Sequence, residues 1–250
     1  MNNVHSPFLA SRYASLFFEF VPTLFGNGKF ERFPDLASDP TETAYLSNKI
    51  GRAFADYFSK NVYNAIFTHS YECAMIEAGF PLAGERPDFY CDTGSCQFAV
   101  EAKGYSAPSV SDVKMVKHKN QSKTGPLSVH FSIASVAHGL YKSPRIKYYD
   151  PVGEDMPYSY DLNYGLRKSY YKSVLNFIRL VSVPSDQSEF DNYAAFRLPK
   201  ASVAVRNILV HRSIVENSLK AGDDFERFQP EDREMDDVYI DVDGIGLQLR

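Results

Sequence analysis

The sequence predicts an α/β fold: a mixed central β-sheet flanked by helices, with a helical cap at the N-terminus and a β-hairpin at the C-terminus. Three observations carry this expectation. Of 250 residues, 44% are hydrophobic and 23% charged, which is enough apolar material for a sizeable core. Amphipathic stretches at helical period alternate along the chain with short runs of period two. The length is that of one elaborated domain, divided here into an arm or cap (1–38), a core (39–150) and a C-terminal helical and hairpin elaboration (151–250).

Taken in order, Phe8 to Phe20 reads as a helix stopped by Pro22, and Gly26-Asn27-Gly28 as a turn. Asp39 is an N-cap and Pro40 a first helical residue, opening an apolar series through Leu46, Ile50, Phe54 and Phe58 to Val62, Ile66, Cys73 and Ile76. A helix of about forty residues is unusual in a compact domain, so a break around Asn61 to Asn64 and a second helix ending at Gly79 are expected. Glu85 to Cys91, the polar turn from Asp92 to Ser95, and Cys96 to Lys103 form a hairpin. Ser109 or Ser111 caps a helix with Val110, Val113 and Val116 on its apolar side and Lys114, Lys117, His118, Lys119 and Lys123 on a basic one. Alternation predicts strands at Leu127–Val136 and Arg145–Tyr149. Asp161 to Ser182 is helical, Phe196 to Val210 fits either state, His211 to Lys220 is helical, and Val238 to Leu249 is a hairpin about Asp243-Gly244.

Composition narrows the function. No stretch reaches the ~20 apolar residues of a membrane helix, because Phe8 to Phe25 carries Arg12 and Glu19, and that segment lacks the features of a secretion signal. Three cysteines make no disulfide framework, so a cytoplasmic protein with reduced thiols is expected. The net charge of −4 excludes a uniformly basic surface. Its distribution is uneven, however: residues 102–182 are net +7, against −5 before them and −6 after. The middle of the chain is a basic island.

The hairpin sorts its side chains by face. With Cys91 paired to Cys96, Asp88 lies opposite Ala99. Asp88, Tyr90, Gln97, Ala99, Glu101 and Lys103 then share one face, and Pro87, Phe89, Cys91, Cys96, Phe98, Val100 and Ala102 the other. Asp88 and Glu101 approach diagonally, with Lys103 next along. Two carboxylates so close repel, and a hard divalent cation with oxygen ligands relieves the repulsion. Mg²⁺ suits such a position, because it tolerates one or two carboxylates plus a phosphate oxygen and lowers the pKa of bound water. Lys103 beside it can orient the nucleophile and offset charge on a phosphate. The chemistry this implies is metal-assisted phosphodiester hydrolysis.

Pro87-Asp88, a twelve-residue spacer and Glu101-Ala102-Lys103 resemble the PD-(D/E)xK motif of the restriction-endonuclease-like nucleases. The order of elements from Ile66 to Val136 is also similar to that family's: helix, sheet strands bearing the motif, a second helix, a further strand. The family places a strand ahead of the one bearing the Asp, for which only Phe80 to Ala83 is left. By position, the resemblance implies Asp88, Glu101 and the Ala102 carbonyl as metal ligands, Lys103 as the catalytic lysine, and Glu72 as a weaker candidate ligand on the preceding helix. It implies a Mg²⁺-dependent DNA endonuclease of restriction or defence type, with Mn²⁺ able to substitute. Lys114, Lys117, Lys119 and Lys123 would grip phosphates, and a homodimer would cut both strands.

Other readings remain open. His69, Cys73, Cys91 and Cys96 permit a zinc site without the usual short cysteine spacing. A non-catalytic nucleic-acid-binding or regulatory module on the same fold, an RNA-directed nuclease, and an interaction protein whose acidic tail Asp223–Asp243 docks a basic partner are the alternatives.

Overall fold

The computed structural model describes residues 39–149, 160–185, 192–198, 205–216 and 237–249. The expected N-terminal arm, 1–38, lies outside the described residues. The structure is α/β and divides into two compact units, with the boundary between Arg167 and Lys168.

The larger unit holds a five-stranded mixed sheet in the order β1-β2-β3-β4-β5. Its strands are β1 (Phe67–Ser70), β2 (Phe89–Asp92), β3 (Gln97–Tyr105), β4 (Phe131–His138) and β5 (Arg145–Tyr149). Only β3 and β4 are parallel; the other neighbours are antiparallel, so β2 and β5 run against the rest. The parallel pair needs a crossover, which helix α3 (Asp112–Ser122) supplies.

Helix α1 (Pro40–Asn61) begins as the sequence predicts, with the Asp39 carboxylate accepting from the Thr41 N–H at 2.7 Å and Pro40 at the first position. It covers one sheet face, where Ala55 packs with Cys91, Phe98, Val100, Ala102 and Ile133. Helix α2 (Tyr71–Glu77) covers the other, where Tyr71, Ala74 and Met75 pack with Tyr90, Ala99 and Leu166. The packing of α1 on β3 is at backbone distance. A Cβ on Gly104 would lie 1.7 Å from the Ser47 carbonyl oxygen, and one on Gly51 would lie 2.5 Å from the Lys103 carbonyl.

Several expectations are corrected. The second half of the predicted long helix is not helical from its start: Phe67–Ser70 is strand β1, paired antiparallel to β2, and it runs directly into the short α2. This β1 is the strand that precedes the Asp, and Phe80–Ala83 forms none. The hairpin register is shifted by two residues, with Cys91 opposite Phe98 and Asp92 opposite Gln97, because Cys96 belongs to the turn through its bond with Thr93. A shift of two preserves the face of every side chain. Strand β4 starts at Phe131 and not at Leu127, which packs instead beside Tyr71.

In α3, Ser111 is the N-cap as predicted, but Val113 is 80% exposed and Val116 is also exposed, while His118 and Lys119 are buried. Helix α3 docks through Met115, which packs with Val110, Ala134 and Val136.

The smaller unit is an antiparallel sheet in the order β6-β7-β8-β10-β9. Helix α4 (Tyr160–Val181) leads into β6 (Val183–Ser185); of the ambiguous segment Phe196 to Val210, the described parts that fall in β7 (Tyr193–Arg197) and β8 (Val205–His211) are strand, and 199–204 lies outside the described residues. Of the predicted helix at His211–Lys220, the described residues show one turn, α5 (Arg212–Val215). The predicted hairpin is present as β9 (Val238–Ile240) and β10 (Ile245–Leu249). Its turn is anchored by Tyr171, whose hydroxyl donates to the Asp243 carbonyl at 2.8 Å. Among the described residues no helix is long and apolar enough to cross a membrane.

Candidate active site

Asp88 is the residue immediately before β2, and its backbone is clamped on both sides. Its N–H donates to the Val100 carbonyl at 3.0 Å, and its carbonyl accepts from the Tyr71 N–H at the start of α2, at 3.1 Å. These bonds hold Asp88 at the entry to β2, against Val100 of β3. One Asp88 oxygen, Oδ2, accepts from the Ala102 N–H at 3.0 Å. The other, Oδ1, accepts from Nη1 of Arg52 on α1 at 2.9 Å.

Lys103 ties the two carboxylates together. Its Nζ lies 2.5 Å from Glu101 Oε1 and 3.6 Å from Asp88 Oδ2. Asp88, Glu101 and Lys103 therefore lie on one side of the sheet within reach of a single ammonium group. Asp88 is 19% exposed and Glu101 fully buried, so the cluster opens to solvent along the Asp88 and Lys103 side. Among the described residues Glu101 Oε2 has no hydrogen-bond partner.

The Ala102 carbonyl faces the same gap. Residues of an extended strand direct their N–H and C=O to the same edge, alternating along the chain. The Val100 carbonyl, the Ala102 N–H and the Gly104 N–H, which donates to Asn48 Oδ1 at 3.4 Å, all point to the β2 edge. Strand β2 has ended there, which leaves the Ala102 oxygen facing the Asp88 carboxylate's side of the gap.

The electrostatics follow from burial and neighbours. Burial first, then the Asp88 charge, pushes the Glu101 carboxyl up to about 7, against the opposing pull of Lys103 and Arg52. Burial alone would lower the Lys103 amine, but the contact with Glu101 and the charge of Asp88 outweigh it and hold the amine above its ordinary value. Two residues on, the Tyr105 hydroxyl shares a hydrogen bond of 2.8 Å with His118 Nε2. Burial, then the charges of Lys103, Lys117 and Lys114, holds the His118 imidazole below its ordinary value. Helix α3 therefore stands beside the site.

The remaining predicted residues divide. Glu72 does not join the cluster: its carboxylate is taken by the Arg86 guanidinium, whose Nε donates to it at 3.0 Å. Among the described residues no three His, Cys, Asp or Glu side chains converge on one point. Lys114, Lys117 and Lys123 are exposed on α3, with Lys114 Nζ 5.2 Å from the centre of the Tyr105 ring. Lys119 is not a surface cation; its ammonium is buried and donates to the Ser132 carbonyl and, at 3.0 Å, to Ser132 Oγ. Arg167, grouped by the sequence with the basic island, is bound to the buried Asp92, with Nη2 2.6 Å from Oδ2.

The zinc alternative loses its geometry, since His69 is on a strand opposite Tyr90, Cys91 faces Phe98 and Cys73 is exposed. Sequence reasoning missed Arg52 altogether; on α1 it reads as one more polar residue, and only the folded register brings it to Asp88. A comparison with protein-family models, with curated proteins and with solved structures finds no match to this chain.

Proposed function

We propose that the chain is a metal-dependent nuclease that hydrolyses phosphodiester bonds, a DNA endonuclease of restriction or defence type built on a restriction-endonuclease-like core. The observation that carries this reading is the meeting of the Asp88 and Glu101 carboxylates at the Lys103 ammonium, beside a strand end where the Ala102 carbonyl faces the same gap. The elements around it run α1, β1, α2, β2, β3, α3, β4, and a helix ahead of the two motif-bearing strands, a second helix and a further strand after them support the reading.

The residues suit a hard cation. A buried carboxylate oxygen without a hydrogen-bond partner, a second carboxylate that approaches the same ammonium and a carbonyl directed alongside are oxygen donors of the kind Mg²⁺ or Mn²⁺ takes. Asp88, Glu101 and the Ala102 carbonyl would hold the ion. When bound, it supplies Lewis-acid stabilisation of phosphate oxygens and water of lowered pKa. The protein's own groups do the rest. Lys103 is held cationic by its two neighbours, so it serves as a donor to the phosphate oxygen that gains charge and not as the base. The Tyr71 N–H fixes the Asp88 backbone carbonyl and the Ala102 N–H its carboxylate, which pre-orients the side chain. Lys114, Lys117 and Lys123 line the flank of α3 as phosphate contacts, with DNA favoured over RNA and a homodimer as the working assembly.

The test is cleavage of supercoiled plasmid and of single-stranded DNA and RNA, with Mg²⁺ or with chelator. Wild type should nick only with the cation, and Lys103→Ala should lose at least about a hundredfold in rate. Equal activity of the two proteins removes the assignment. One observation favours the non-catalytic module on the same fold: among the described residues two acidic side chains meet here, and both are already paired with cations. That reading predicts duplex binding by the wild type with no cleavage under any divalent cation.

A further inference from the structure

The carboxylate cluster holds one cation that the PD-(D/E)xK motif does not account for. Arg52 Nη1 lies 2.9 Å from Asp88 Oδ1, and its guanidinium carbon lies 4.8 Å from the centre of the Phe89 ring, which it covers. Its delivery is built into the fold. Gly51, the residue before it, sits where a Cβ would be 2.5 Å from the Lys103 carbonyl, so the register of α1 on β3 is set beside the catalytic lysine. With both carboxylates ionised, the two cations balance them.

From this geometry we infer that Arg52 is an exchangeable counter-ion: it neutralises Asp88 until a divalent cation displaces it, and it then binds a phosphate group of the substrate. This inference rests on the reading of Asp88 and Glu101 as the metal-binding pair. Three observations support the exchange. Asp88 Oδ2 is already engaged by the Ala102 N–H, so Oδ1, the oxygen Arg52 occupies, is the one open to a cation. A bound divalent cation would leave the cluster with a surplus of two positive charges, which phosphate oxygens neutralise. Of the two side-chain cations, Arg52 is 41% exposed and Lys103 26%, so the guanidinium is the freer to move. Its planar fork matches two phosphate oxygens, and the Phe89 ring gives it a platform when it leaves Asp88.

The two roles predict effects of opposite sign, which a merely structural ion pair would not produce. Mn²⁺ is titrated calorimetrically into the full chain, as wild type, Arg52→Ala, Arg52→Gln and Asp88→Asn. Binding of a labelled DNA duplex is measured separately by fluorescence anisotropy, with Ca²⁺ present as the oxygen-seeking cation. Removal of the competing guanidinium should tighten Mn²⁺ on the order of tenfold in both Arg52 variants, while the duplex binds on the order of tenfold more weakly. Weakened or unchanged Mn²⁺ affinity in folded Arg52→Ala and Arg52→Gln overturns the inference even if Asp88→Asn loses the metal. If Asp88→Asn binds Mn²⁺ as tightly as wild type, the metal-site reading itself fails and the inference falls with it.

Discussion

Glu101, a ligand in the proposed site, is costly to the fold. Its carboxyl is fully buried, and its pKa rises from 4.5 to about 7. A raised acid pKa means the folded state holds a proton that the unfolded chain has released, so between about pH 4.5 and 7 stability falls as pH rises. Glu101→Gln removes this dependence. In chelator, the variant should match wild type near pH 4.5 and be the more stable of the two at pH 8, by a few kcal/mol at most, on the order expected for a shift of this size. Denaturant melts across that range provide the check; a variant less stable than wild type at pH 8 would show that the Lys103 contact outweighs the burial. Mg²⁺ should reverse the order by stabilising wild type alone.

Among the secondary-structure elements, the site depends on how α1 lies against β3. The Gly51 and Gly104 pair permits the backbone contact that places Arg52 near Asp88 and seats the strand bearing Lys103. Gly104→Ala drives a methyl into the Ser47 carbonyl and should cost about 3 kcal/mol or more, since rigid backbone cannot give way as a side chain can. A loss under about 1 kcal/mol in thermal melts would mean that α1 can shift freely and does not fix the site.

Some of these elements were legible in the sequence and some were not. The cap of α1 at Asp39 and Pro40 was, because capping is local. The shared face of Glu101 and Lys103 was too, because residues two apart on one strand share a face whatever the register. Strand β1 was hidden, since four residues in an apolar series of helical spacing give no period of their own and pairing with β2 is a long-range event. The inward face of α3 was misread for a similar reason. Val113 and Val116 suggested a core stripe, whereas the core takes Met115 and leaves the valines exposed. Arg52 carried no local signal at all.

Over the molecule as a whole, charge is allocated by segment. The acidic flanks and basic middle of the chain sum to −4, so the nucleic-acid binding proposed above would have to come from a local surface. The exposed cations on α3 and at its C-cap are Lys114, Lys117 and Lys123, and Lys119 is part of the interior. Alanine at each exposed position should therefore reduce the slope of log K against log salt by about one, the contribution of one phosphate contact. Lys119→Ala should leave that slope unchanged and lower stability by about 1–3 kcal/mol, because Ser132 loses a buried partner. Equal slopes for all four variants would place the nucleic-acid surface elsewhere.

If oxygens from the start of β2 and from β3 share one divalent cation, anomalous diffraction from crystals soaked in Mn²⁺ will locate it. A single strong peak is expected about 2.0–2.3 Å from carboxylate oxygens of Asp88 and Glu101, with the Ala102 carbonyl in its shell and Arg52 turned away. A peak elsewhere, or none while Arg52 still bridges to Asp88, would be incompatible with a shared ion.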